Sequence, residues 1–194
     1  MTTGPISPEM LVYAYSTGVF PMAERREDAC VMWYEPRRRG ILPLDGFHIS
    51  HSLARVIRKR IFEIRTDTAF REVMLNCADR AETWINDQIL DAYCNLFDLG
   101  LAHSVECWRD GKLAGGLYGV ALGGAFFGES MFSEETNASK VALCALVERL
   151  KAGGFVLLDT QFLTAHLATF GAIEIPQEEY LKRLGPALDV KARF

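Results

Sequence analysis

The chain has 194 residues, 49% of them hydrophobic and 24% charged, with 16 glycines and 7 prolines. This composition excludes a disordered tail and a fibrous or low-complexity protein, and the length accommodates one domain, or one large domain with a smaller N-terminal piece. The formal net charge of −4 is unevenly spread: residues 1–71 hold 11 Lys/Arg against 8 Asp/Glu, residues 72–194 hold 10 against 17, and the stretch 37–65 holds 8 against 2. One concentrated basic strip in an acidic chain points to a polyanion docked at one place, which argues against a surface wrapped in DNA or RNA. No run approaches the roughly 20 apolar residues that cross a bilayer. MTTGPISPEM has neither the basic start nor the apolar core of a signal peptide, so a soluble, cytoplasmic protein without membrane partners is expected.

In chain order, Ser7-Pro8-Glu9 opens a short helix: a capping hydroxyl, a proline at the first helical position and an acid in the first turn. Leu11, Val12 and Tyr15 mark its apolar side and Gly18 stops it. Extended pieces follow near 30–34 and 40–44, then a basic helix over roughly 51–59 capped by Ser50, and a strand over 62–65. Helical spacing predicts helices near 69–78 and 86–99, the latter from Ile89, Leu90, Tyr93, Leu96 and Phe97. Strands are predicted over 103–109, 112–122 and 125–131, the first two joined by the hairpin signal Asp110-Gly111. A helix over 138–150, a buried strand over 155–161, a short helix over 164–170, a brief strand over 173–175 and a last helix from Pro176 complete the chain. The result is an α+β fold, a mixed sheet flanked by helices. It divides near residue 67 into a small basic N-terminal domain, 1–67, and a larger domain, 68–194.

Leu157-Leu158-Asp159-Thr160-Gln161 places an acid and an amide two residues apart at the end of an apolar strand. Alternation predicts that Asp159 and Gln161 share a side, with Thr160 opposite. A carboxylate there can orient the amide toward a substrate; the alternative is that both residues sit at the strand end and face water. Glu129 lies between Phe126-Phe127 and Met131-Phe132, so its charge needs a partner. That partner is either an internal Arg or Lys, or a cationic ligand. Trp33, Tyr34, Trp84, Tyr93, Phe126 and Phe127 read as core or pocket aromatics. Arg55, Arg58 and Lys59 share a helix face with Arg60 flanking and no acid on the helix to pair with, which suits a phosphate backbone. The five cysteines are scattered and never form C-x-x-C, so neither a disulfide framework nor a metal site is expected.

Taken together, these blocks resemble the bacterial leucyl/phenylalanyl-tRNA–protein transferases from about Met10 to Leu184. The resemblance is carried by Ala14-Tyr15 with Gly18-Val19-Phe20-Pro21-Met22, by His48-Ile49-Ser50, and by Ala102-His103-Ser104-Val105-Glu106-Cys107-Trp108. It continues through Gly115-Gly116-Leu117-Tyr118-Gly119-Val120, Phe127-Gly128-Glu129-Ser130-Met131-Phe132-Ser133, Asn137-Ala138-Ser139-Lys140, Leu158-Asp159-Thr160-Gln161 and Gly171-Ala172 with Ile175-Pro176. Thr160 replaces a cysteine common there, and Gln177 a frequent basic residue. The resemblance implies a GNAT-like acyltransferase domain that takes Leu-tRNA and Phe-tRNA as donors (Met less well) and proteins with N-terminal Arg or Lys as acceptors, creating a degradation signal. It implies Asp159 and Gln161 as the catalytic pair and Glu129 as the reader of the acceptor's basic N-terminus. Trp33, Trp84, Phe126, Met131 and Leu143 would line or border the aminoacyl-adenosine pocket. Arg55, Arg58, Lys59 and Arg60 would hold the tRNA, and a monomer without a cofactor is expected. The other readings are an acyl-CoA-dependent N-acyltransferase and a non-enzymatic RNA-binding module. The first needs a glycine-rich turn opening a helix, whereas Arg149-Leu150-Lys151-Ala152-Gly153-Gly154 ends one. The second leaves Asp159, Gln161 and Glu129 without a role.

Overall fold

A computed structural model describes residues 1, 2 and 4–194. Helix α1 (Pro8–Ser16) starts as its sequence predicts, with Ser7 Oγ accepting from the Met10 amide at 3.3 Å. Strands β1 (Phe20–Met22) and β2 (Met32–Tyr34) pair as a small antiparallel ribbon. Sequence periodicity missed β1 because Pro21 interrupts it; a proline is tolerated in a strand at a sheet edge. Then come β3 (Arg38–Ile41), α2 (His51–Arg58, capped by Ser50), β4 (Glu63–Thr66), α3 (Phe70–Ala78) and α4 (Asp87–Asp98). The rest is β5 (Ala102–Arg109), β6 (Lys112–Leu122), β7 (Ala125–Ser133), α5 (Ala138–Ala152), β8 (Leu157–Gln161), α6 (Ala165–Ala168), β9 (Ile173–Pro176) and α7 (Gln177–Leu188).

Seven strands form one mixed sheet in the order β4-β5-β6-β7-β8-β3-β9. Both β3 and β4, which precede residue 67, are members of it. All neighbours are antiparallel except β7 and β8, which α5 connects as a crossover. Alternation sorts the side chains between two cores. Tyr118, Phe127 and Leu157 join Leu11 of α1, Met74 of α3, Tyr93 of α4 and Leu184 of α7 on one face. Leu117, Phe126 and Leu158 join Leu53 of α2 and Leu143, Leu146 and Leu150 of α5 on the other. Glu106, fully buried, ties β5 to the entry of α3: its carboxylate accepts from the Thr68 and Ala69 amides at 2.9 and 2.8 Å. Among the described residues no helix is long and apolar enough to cross a membrane.

One irregularity positions everything that follows. β7 and β8 pair over only three positions, Ala125↔Leu157, Phe126↔Leu158 and Phe127↔Asp159, after which β7 runs on to Ser133 without its neighbour. β8 is bent away by Gln161, whose φ of 61° is left-handed for a residue with a side chain. Gly40 sits opposite Gln161 in β3, and a Cβ there would come within 2.8 Å of the Phe162 backbone, so only glycine lets β3 lie under this bend.

Candidate active site at the parting of two parallel strands

The gap between β7 and β8 opens into a cavity of about 290 Å³. Its apolar wall includes Met22, Trp84, Leu117, Met131, Leu143 and Leu158, and its polar end is Glu129 and Gln161. Among the described residues, four buried side-chain polar atoms lack a hydrogen-bond partner, and three of them, on Tyr118, Thr160 and His166, belong to residues lining this cavity. Unpartnered buried polar atoms cost free energy, and three of the four belong to side chains at this cavity.

Asp159 is fully buried and its carboxylate is saturated by protein. Arg39, only 1% exposed, donates from Nε to Oδ1 at 2.9 Å and from Nη2 to Oδ2 at 2.7 Å. Tyr180 donates to Oδ2 at 2.6 Å and the Gln161 amide N–H to Oδ1 at 2.7 Å. Burial works against the Arg39 charge, but the Asp159 carboxylate outweighs it and holds the guanidinium above its ordinary value. The guanidinium also lies over the Phe20 and Tyr180 rings, 4.6 and 4.7 Å from their centroids. The water-facing alternative for the acid and the amide is therefore excluded, since Gln161 is itself only 6% exposed.

The expected alternation does not survive the bend at Gln161. Thr160 and Gln161 both line the cavity and Asp159 does not, because the positive φ rotates Gln161 out of the period-two pattern. The division of labour changes with it: Asp159 fixes the Gln161 backbone, whereas the Gln161 side-chain amide donates to Glu129 Oε1 at 2.7 Å. Among the described residues Glu129 has no Arg or Lys partner. Its oxygens accept from Tyr15 at 2.5 Å and from Tyr93 at 3.1 Å, and the two phenols also touch each other. Three O···O contacts join three groups, but an ionised Glu129 leaves two phenolic protons to fill them. A protonated Glu129 supplies the third. Burial pushes its pKa to about 7, against the opposing pull of the hydrogen bonds from Tyr15, Gln161 and Tyr93.

Of the aromatic and apolar residues singled out in the sequence, Trp84, Met131 and Leu143 line the cavity. Phe126 and Trp33 do not. Phe126 lies behind the wall, stacked on Phe194 at 5.4 Å and edge-on to Phe155. Trp33, on the strand paired with β1, donates its indole N–H to Thr2 Oγ1 at 2.9 Å. Arg55, Arg58, Lys59 and Arg60 are exposed at the end of α2, and among the described residues none forms an ion pair. Helix α2 packs against α5, whose Leu143 and Leu146 form part of the cavity wall.

The sequence does not single out Arg39, Tyr15, Tyr180 or Met22 as site residues, and marks Tyr93 only as a core or pocket aromatic. Arg39 was hidden in the Arg37-Arg38-Arg39 run, and the three tyrosines fall at core positions where only the ring was weighed. A hydroxyl at a buried helical position is the one signal that could have found them.

The sequence matches the family model described as leucyl/phenylalanyl-tRNA protein transferase over residues 41–185, and the model of that family's N-terminal domain over residues 4–37. It is 58% identical over 193 residues to a leucyl/phenylalanyl-tRNA–protein transferase of Herpetosiphon aurantiacus, covering 99% of this chain and 100% of that one. A second, from Ruegeria pomeroyi, is 56% identical over 189 residues, covering 97% and 90%. Among solved structures, the C-terminal domain of an Agrobacterium fabrum protein designated a lysylphosphatidylglycerol synthetase aligns with 97% of this chain and 73% of its own. The TM-score there is 0.49 at 12% identity.

Proposed function

Because the chain belongs to the leucyl/phenylalanyl-tRNA–protein transferase family, we propose that it moves leucine or phenylalanine, and methionine less well, from aminoacyl-tRNA to the α-amine of proteins beginning with Arg or Lys, marking them for degradation. The observation that carries this reading is the apolar cavity that ends in Glu129 and Gln161. An unbranched or γ-branched side chain, or a ring, enters such a cavity; branching at Cβ crowds its neck. The splayed parallel pair β7/β8 with its crossover helix supports a GNAT-like reading of the catalytic portion. The turn from β7 into α5, where an acyl-CoA enzyme needs glycines to cradle pyrophosphate, is Ser133-Glu134-Glu135-Thr136-Asn137, with two acids and no glycine.

The reaction asks mostly for placement. The ester is already activated, and an α-amine of pKa roughly 7.7–8.0 is partly neutral near neutral pH. The amine nitrogen attacks the ester carbonyl, the bond to the terminal ribose oxygen breaks, and the proton lost by nitrogen ends on that oxygen. Gln161 positions the amine through its amide oxygen, since its Nε2 already donates to Glu129. An amide is too weak a base to take the proton, so the ribose hydroxyl relays it. Asp159 acts through Gln161 as a positioning residue. When Glu129 is ionised, its Oε2 keeps a lone pair beyond its bond from Tyr93 and can accept from an arginine or lysine of the acceptor, whose positive charge favours the ionised form. Residues 1–67 contribute the cationic helix face, with Arg55, Arg58, Lys59 and Arg60 on tRNA phosphates, and residues 68–194 contribute Glu129, Asp159 and Gln161. Trp33 and Phe126 support the pocket from outside, and the enzyme works as a cytoplasmic monomer.

The test is transfer of labelled leucine from Leu-tRNA to a protein beginning with Arg, compared with the same protein beginning with Ala and with labelled acetyl-CoA as donor. Label on the Arg-initiated protein alone is expected. Acetyl transfer without leucyl transfer would overturn the reading.

A further inference from the structure

Arg80 is a cation at the cavity with nothing negative to answer it. It follows α3 and lines the cavity near Met131, and it is exposed. Its Nε donates to the Cys77 carbonyl at 2.8 Å, and its Nη2 to Ser130 Oγ at 2.9 Å and to the Met131 carbonyl at 3.2 Å. These three bonds hold the planar group between α3 and β7. Among the described residues its Nη1, with two further N–H donors, has no partner, and no carboxylate lies within ion-pairing distance of the group. Of the residues that line the cavity, Arg80 is the one permanent cation, facing an end whose charge is carried by Glu129. A guanidinium held on one edge keeps two N–H donors on its other edge, which can bind an oxyanion there.

The cavity volume says which oxyanion. About 290 Å³ sits at the low end of small-molecule sites, enough for an aminoacyl side chain and its ester but not for a nucleotide as well. The donor must therefore leave through the mouth, and its first charged group after the ester is the phosphate on the 5′ side of the terminal adenosine. We propose that Arg80 binds this phosphate, so that the donor is held at both ends of its last nucleotide. The inference rests on the aminoacyl-tRNA reading above and deepens it. The hydrogen-bonded guanidinium makes the contact distinct from the exposed cations of α2, for which no ion pair is formed among the described residues.

Two minimal donors separate the possibilities: adenosine carrying a leucyl ester on its ribose, and the same compound with a 5′-phosphate. With the native enzyme, KM is expected to be about tenfold lower for the phosphorylated donor. In Arg80→Ala this preference should vanish, the KM values of the two donors becoming equal while the KM of the phosphorylated donor rises by the larger factor. Arg80→Lys should retain part of it. With full Leu-tRNA, Arg80→Ala should also lower the slope of log affinity against log salt by about 0.7, the share of one single-strand phosphate. Equal damage to both minimal donors would show that Arg80 only props β7, and would overturn the assignment. A native enzyme indifferent to the 5′-phosphate would overturn it too. A native enzyme that uses neither minimal donor nor Leu-tRNA would refute the functional reading itself, and the assignment with it.

Discussion

Replacing Glu129 by glutamine is expected to make the protein more stable and the enzyme worse. The side chain is held by Tyr15, Tyr93 and Gln161 in a network that is one proton short when the carboxyl is ionised. Its pKa rises from 4.5 to about 7 on folding. A carboxyl raised in this way favours folding below its unfolded pKa and loses that advantage as pH rises through the folded value. A shift of this size, at 1.36 kcal/mol per unit, makes ionised Glu129 cost about 3 kcal/mol by pH 8 and under about 1 kcal/mol at pH 5. Glutamine occupies the same space, supplies the missing proton donors and never ionises. The stability of Glu129→Gln relative to the native protein should therefore grow by about 2 kcal/mol between pH 5 and pH 8. Urea unfolding at fixed pH steps across that interval measures it directly. Parallel pH profiles for the two proteins would refute the proton count. In the transfer assay the same variant should raise KM for acceptors beginning with Arg or Lys while leaving KM for Leu-tRNA in place.

Gln161→Ala should lower kcat by about a hundredfold or more with little change in Leu-tRNA affinity, as removal of a group that aligns the reacting atoms does; equal losses in both, read by single-turnover kinetics and filter binding, would count against a positioning role. Arg39→Met leaves Asp159 buried without its counter-charge and should cost about 3–5 kcal/mol in urea unfolding. Changing Arg55, Arg58, Lys59 and Arg60 together to Gln should weaken Leu-tRNA binding steeply at low salt and flatten its salt dependence by up to about 0.9 for each phosphate that is no longer neutralised. Transfer from a bare leucyl-adenosine should be untouched.

Much of the architecture was legible because the rules that build it are local. Ser7 and Ser50 cap the helices they precede, Asp110-Gly111 turns between β5 and β6, and the 3.6-residue spacing through Ile89, Tyr93 and Leu96 forms α4. Asp159, Gln161 and Glu129 stood out because polar groups in apolar strands demand a partner. What the sequence could not supply was the identity of those partners, since they come from other parts of the chain. The expectation that Asp159 orients the Gln161 amide gave way to Glu129 because the Gln161 bend depends on Gly40, a residue whose importance is visible only once β3 lies against β8. The spacing puts Tyr15 on an apolar helix side and leaves Tyr93 as core or pocket; their hydroxyls meet Glu129 only where two helices and a strand come together.

The Arg39–Asp159 pair spans 120 positions of chain, and Tyr15 and Glu129 are 114 apart. During synthesis, Arg39 leaves the ribosome long before the carboxylate that will neutralise it, and Tyr180 follows later still. This buried polar edge therefore cannot be assembled piecemeal as the polypeptide emerges. Its guanidinium gains its counter-charge only when nearly the whole chain has been translated, so the polar end of the cavity closes late and as one unit.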